Sequence, residues 1–210
     1  MSGRYANIPL PPRLASLPLD HRGVPVPYIT PWKAQFADGR SPFELRQTAK
    51  SGVIVACRCR PGVGRPVLGT QCPTRQRRAM THRLCGVCGQ PHEPGADLAF
   101  VGKPGDLFPE APQHPECLAY SVKACPALRD DDRTGAVFTA KDYRLFEQRV
   151  EIKPDGSIGR KQTFPEGDKA ASTAGALWIH LAEPLNPNGP LELGHWIRLH
   201  SFTSLLGSGD

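Results

Sequence analysis

Apolar positions along the chain come in short bursts broken by Gly and Pro, a pattern of short strands and few helices. Tyr143–Ile152 (YRLFEQRVEI) alternates apolar and polar residues, ends at the turn Lys153-Pro-Asp-Gly156 and is followed by Ser157–Phe164; together these predict a β-hairpin. Leu177–Leu181 (LWIHL) and His195–His200 (HWIRLH) read as two more strands, joined by a Pro/Asn/Gly loop over Glu183–Gly194. Asp97–Val101 (DLAFV) reads as a strand, with a turn at Lys103-Pro-Gly-Asp106 and a return arm from Leu107–Phe108. In Leu17–Lys33 repeated prolines forbid a helix, and Val24, Val26 and Tyr28 alternate as in an edge strand. Ala37-Asp-Gly-Arg40 is a turn signal, with Tyr28–Phe36 and Phe43–Arg46 as candidate hairpin arms. Three stretches read as short helices: Arg46–Cys57 with Thr48 or Ser51 as cap, Pro73–Arg83 with Thr74 as N-cap, and Pro115–Ala124. In the last, Pro115 takes the first helical position and Pro126 ends the run.

The chemistry concentrates between Leu84 and Leu128. Cys85-Gly-Val-Cys88 is followed by twenty-five residues and then His114-Pro-Glu-Cys117. Two ligand pairs, each with two residues between partners, make a tetrahedral zinc layout of thiolates and one imidazole. Gly86 and Gly89 suit a tight knuckle, and His114 and Cys117, three apart at a helix start, share a face. Knuckle, hairpin and helix in this order form a treble-clef arrangement. The expected fold class is therefore α+β, a small irregular zinc-stabilised treble-clef core with short β-hairpins and few short helices. An extended arm over residues 1–15 leads into a zinc domain over 16–130, which carries a basic insert at 58–81. Asp130-Asp-Asp132 with Arg133 marks a boundary to a β-rich region over 131–204, and 205–210 form a tail. A second candidate ligand set is Cys57, Cys59, Cys72 and His82; its types suit zinc, but Cys-x-Cys and the unequal gaps are less diagnostic. His92 follows the knuckle and competes with His114 as ligand, at poorer spacing; Cys125, past the ligand pair, reads as a small packing residue.

Composition sharpens this picture in two places. Gly 21 and Pro 23 make up about a fifth of 210 residues, so the core is modest and a metal staple would compensate for it. Seven cysteines, an odd count at metal-type spacing, favour reduced thiols and a cytoplasmic setting over a disulfide framework. The N-terminus has no apolar signal segment, and the longest apolar run, Val53–Cys57, is far too short to span a bilayer, so no membrane role is expected. The formal charge is +6, and from Leu45 to His92 there are nine Lys or Arg and no Asp or Glu. Arg58, Arg60, Arg65, Arg75, Arg77, Arg78 and Arg83 in this block, with Lys153, Arg160 and Lys161 near the later turn, are candidates for contacting nucleic acid or an acidic protein surface; a solvated face is the alternative.

Catalytic readings find little support in the residues. Four ligands close the zinc shell, whereas a catalytic site keeps one position open. Pro-Cys, part of the zinc-deaminase signature, occurs nowhere. A treble-clef nuclease would need a His base on the hairpin and a further His or Asn on the helix, and neither segment has one. His180, His195 and His200 form no compact triad with Ser or Cys; Trp178 and Trp196 fit the core, although with Arg198 they could stack single-stranded bases.

Two stretches, Ser16–Thr30 (SLPLDHRGVPVPYIT) and the Leu84–Leu128 segment, cover roughly a third of the chain. On them the chain resembles small zinc-binding proteins of phages and prophages, especially of actinobacteria. It departs from that group in carrying the basic, Cys-containing insert Arg58–Thr81. Related phages encode recombination directionality factors, which bind large serine integrases rather than perform chemistry. The resemblance implies a non-enzymatic accessory protein in the host cytoplasm; the ligand spacing supplies one structural Zn²⁺, with a second Zn²⁺ at Cys57, Cys59, Cys72 and His82 as the less diagnostic candidate. Its partner would be a phage DNA-processing protein, best a serine integrase whose excision and integration it controls. Direct DNA or RNA binding through residues 46–83 stays open as the alternative, and an HNH-like nuclease is the remaining one.

Overall fold

Val53, Ile54 and Val55 are β-branched and suit an extended chain, while Gly52 supplies the left-handed residue (φ +65°) that ends a turn before them. The computed structural model describes residues 8–33, 43–103, 105–125, 136–155 and 157–196. Its strands are Trp32–Lys33 (β1), Phe43–Thr48 (β2), Gly52–Cys57 (β3), Arg65–Pro66 (β4), Leu98–Gly102 (β5), Ala136–Ala140 (β6), Asp142–Ile152 (β7), Ile158–Pro165 (β8), Ala176–Leu185 (β9) and Asn188–Glu192 (β10). Two α-helices lie wholly within the described residues, Pro73–Thr81 (α1) and Pro115–Ala124 (α2). The class is α+β, and no helix among the described residues is long and apolar enough to cross a membrane.

The larger sheet runs β2-β3-β9-β7-β8, the smaller β10-β6-β5, and β1 pairs with β4. All pairings are antiparallel except β3 with β9. Each of the two larger sheets takes strands from both sides of residue 130, so the regions delimited there share their sheets. The boundary residues themselves, and the 205–210 tail, lie outside the described residues.

Several expectations are corrected. Arg46–Cys57 is no helix: β2 and β3 pair in register from Phe43↔Cys57 to Thr48↔Gly52. Thr48 ends β2 and Ser51 lies in the turn after it, the Ser51 amide donating to Thr48 Oγ1 at 3.1 Å. Phe43–Arg46 pairs with β3, and the far end of the other expected arm, Ala34–Phe36, lies outside the described residues with the Ala37–Arg40 turn. Val24–Tyr28 forms no strand beyond an isolated bridge, Leu19↔Pro25. The return arm at Leu107–Phe108 does not fold back on β5; Phe108 bridges Ala182, and β5 pairs with β6. Leu193–Trp196 is helical rather than extended, and His200 lies outside the described residues. The loop expected over Glu183–Gly194 contains the end of β9 and all of β10. The N-terminal arm is not wholly extended: Pro12–Leu14 makes a 3-10 turn that buries Leu14 completely.

Helix α1 is fastened to β9 by polar groups. Gln76 Nε2 donates to the His180 carbonyl at 2.6 Å and to the Pro109 carbonyl at 2.8 Å, and Gln76 Oε1 accepts from the His180 amide at 3.0 Å. One buried side chain thus satisfies backbone groups that would otherwise be orphaned. Arg149, 2 % exposed, ties the parallel junction: it pairs with Glu147 and donates to the Ser51 and Gly175 carbonyls. Lacking these partners, a buried guanidinium would be strongly destabilising.

Candidate metal centres

Cys85 and Cys88 stand in the knuckle that follows α1. The Cys85 amide donates to the Gln90 carbonyl and the Gly89 amide to the Cys85 carbonyl, both at 2.8 Å. Gly89 has φ +74°, and a Cβ there would lie 2.7 Å from the Tyr28 ring, so both conformation and space require glycine. Gly86 is held just as closely against the Ala111 carbonyl, at 2.9 Å from a built Cβ. His114 precedes α2, Pro115 occupies its first position, and Cys117 follows in the first turn, as the proline placement predicts.

These four side chains converge. Cys85, Cys88, His114 and Cys117 are all buried, and their ligand atoms lie within 4.8 Å of one another. His114 Nδ1 is 3.4 Å from Cys88 Sγ and 3.9 Å from Cys117 Sγ. A tetrahedral ion with Zn–S of about 2.3 Å and Zn–N of about 2.0 Å sets S···N edges at about 3.6 Å, between these two distances. His114 Nε2 faces the Pro91 carbonyl at 3.2 Å, which leaves Nδ1 as the ligand atom, the outer-shell bond usual for a metal-binding imidazole. Backbone amides turn toward the sulfurs: His114 N lies 3.4 Å from Cys85 Sγ and Gln90 N 3.5 Å from Cys88 Sγ. Thiol hydrogen bonds from Cys117 and Cys85 hold the Cys88 thiol far below its ordinary range, in the direction that favours the thiolate a metal binds. Burial opposes charge on His114, yet hydrogen bonds to the Cys85 and Cys88 sulfurs outweigh it and lift the imidazole to about 10. A metal entering this cluster must therefore displace a proton.

His92, the competing ligand, packs its ring 4.4 Å from that of His114 and hydrogen-bonds the Pro112 carbonyl instead. Burial depresses it to about 4, so it stays neutral beside the cluster. Around the centre, Leu14, Val24, Val87, Tyr120 and Ala124 form an apolar jacket. The centre is thus sealed by the Pro-rich N-terminal segment as well as by the knuckle.

The second set assembles only in part. Cys57, Cys59 and Cys72 bring their sulfurs together, but His82 does not join them. Cys72 caps the start of α1 and His82 its end, which places them about 15 Å apart along the axis. Among the described residues no other Cys, His, Asp or Glu completes the group.

Compared with family models, curated proteins and solved structures, the chain matches none. The arrangement itself is therefore what limits the function.

The basic block does not act as one face. Arg75 and Arg77 are buried, and their guanidinium groups serve backbone carbonyls: Arg75 those of Tyr28 and Thr30, Arg77 those of Leu177 and Trp178. Burial lowers Arg77 to about 10, still charged at neutral pH. Arg58 pairs with Glu44 at 3.3 Å, and Arg83 pairs with Asp142 while lying 4.9 Å above the Tyr143 ring. Arg60, Arg65 and Arg78 are exposed, as are Lys153, Arg160 and Lys161 around the β7–β8 hairpin. Val63, Val67 and Leu68 are exposed on the same insert as Arg60 and Arg65. Gln76 and Arg149, which hold the scaffold under the centres, carry no local signal: only their long-range carbonyl partners mark them out.

Proposed function

We propose that Cys85, Cys88, His114 and Cys117 hold one structural Zn²⁺ in a treble-clef-like unit, and that the chain is a non-enzymatic binding module for a DNA-processing protein. The most specific form of this reading is a recombination directionality factor that binds a serine integrase. The observation that carries the zinc is the buried four-ligand shell, whose distances bracket a tetrahedral S₃N geometry and whose imidazole is oriented by the Pro91 carbonyl. Such a shell gives substrate and water no place at the metal, so binding surfaces become the route to function. The choice of integrase comes from the resemblance of Ser16–Thr30 and Leu84–Leu128 to phage zinc proteins.

A protein partner is favoured over direct nucleic-acid binding by the fate of the arginines. Arg75 and Arg77 are spent on carbonyls, and the exposed Arg60 and Arg65 share their insert with Val63, Val67 and Leu68. A mixed basic and apolar surface suits a protein patch with acidic and apolar groups better than a phosphate backbone. The mechanism would be a population shift, in which the module binds one integrase arrangement better than another. The test is recombination of excision and integration substrates by purified serine integrase from a related phage, with and without this protein. The reading predicts gain of excision and loss of integration. No change in either, together with steeply salt-dependent shifts of naked DNA, would instead establish the nucleic-acid reading.

A further inference from the structure

The group Cys57, Cys59 and Cys72 stands apart from the four-ligand centre, on different elements. Cys57 ends β3, Cys59 lies two residues on, and Cys72 opens α1 after a twelve-residue loop, 60–71. Cys59 Sγ and Cys72 Sγ are 3.7 Å apart. A disulfide requires about 2.05 Å, while an S···S edge of a tetrahedral zinc thiolate is about 3.8 Å. The sulfurs are surrounded as anions would be. The Cys59 amide points at Cys57 Sγ at 3.4 Å, the Trp32 amide at Cys59, and the Arg75 amide, in the first turn of α1, at Cys72. Val26 and Trp32 pack beside Cys59 and Cys72, so the cluster has an apolar wall. The nearby Arg75 guanidinium is bound to the Tyr28 and Thr30 carbonyls rather than to a sulfur.

All seven cysteines are described; three belong to the first centre, and Cys125 joins neither group. No fourth thiolate therefore exists in this chain for the second. We propose that Cys57, Cys59 and Cys72 form a second zinc site, three thiolates plus one nitrogen or oxygen donor, which clamps both ends of the 60–71 loop. Cys57 is partly exposed, whereas all four ligands of the first centre are buried, so this second ion exchanges more readily. Between its ends the loop is fastened to the body by β4 on β1 and the Val67 amide on the Pro31 carbonyl. The ion fixes how Arg60, Val63, Arg65 and Leu68 are presented. Use of that loop in partner binding rests on the function proposed above; the metal site does not.

The test uses the full chain, purified under reducing conditions, with zinc counted by a chromophoric chelator. Two equivalents are expected, one released by chelator from the folded protein and the other only on denaturation. Cys59→Ser should keep one equivalent and a cooperative melt, and chymotrypsin should cut after the exposed Leu68 about tenfold faster than in the parent. If Cys59→Ser does not fold, titration of the metal-stripped parent with Co²⁺ decides the matter, two thiolate-rich equivalents supporting the site. A parent that takes up one equivalent only, a Cys59→Ser protein that still holds two, or a Cys59–Cys72 disulfide in protein isolated without oxygen would each overturn it. Failure of the integrase assay would leave these counts untouched, and failure at the first centre would appear as zinc lost with Cys88→Ser.

Discussion

The two thiol clusters are built from the same residue types and differ in what surrounds them. The first joins a knuckle to the start of α2, has four buried ligands, and lies inside an apolar cluster with Leu14, Val24 and Tyr120. The second joins the end of β3 to the start of α1, has three thiols with Cys57 partly exposed, and sits under a surface loop. The first can therefore organise the core and the second only a local segment. Helix α1 connects them, beginning at Cys72 and leading within four residues of its end to Cys85.

The sharpest way to break this contrast is at the first centre. Cys117→Ser should lose the zinc and the cooperative thermal transition together. Structural zinc contributes on the order of 10 kcal/mol or more, against a total stability of about 5–15 kcal/mol. Metal content and circular dichroism on the same sample check this; an intact melt with a full equivalent of zinc would contradict it.

Next in size is the helix between the centres. Gln76→Leu leaves the buried His180 amide and the His180 and Pro109 carbonyls without this partner. The expected cost is about 2–4 kcal/mol in urea unfolding with an unchanged m-value. Because α1 carries Cys72 at its free end, metal release from the second cluster should speed up while the first retains its ion.

The smaller effect concerns pH. Burial, then the Arg77 charge with Lys50 and Arg149 farther off, holds His180 down at about 4 in the folded chain, against an ordinary 6.5. The unfolded chain takes up this proton below pH 6.5 and the folded one only near pH 4. Stability from this group is therefore complete above pH 6.5 and declines as pH falls toward 4, by about 2–3 kcal/mol. His180→Gln should flatten that part of the profile relative to the parent; identical slopes would remove His180 as the cause.

The same contrast explains what the sequence made legible. Cys-x-x-Cys and His-x-x-Cys are local patterns, and the helix-starting Pro115 places His114 and Cys117 without help from distant residues. The β7–β8 hairpin was readable for the same reason, from alternation and Lys153-Pro-Asp. His82 has a suitable residue type for the second set, but the full length of α1 lies between it and Cys72. The block of positive charge was misleading in a related way. Arg75 and Arg77 are buried and donate to backbone carbonyls on segments up to 101 residues away, and such partners leave no local trace. Likewise the β-branched run Val53–Val55 is not legible as a strand from sequence, because the pairing that makes it one, with β2 and β9, is tertiary.

The central claim is the S₃N shell at Cys85, Cys88, His114 and Cys117, and zinc-edge X-ray absorption on Cys59→Ser tests it most directly, since the second cluster is disabled there. The account predicts one equivalent of zinc with three sulfurs at about 2.3 Å and one nitrogen at about 2.0 Å. A folded protein without zinc, or a shell of oxygen and nitrogen alone, would contradict it.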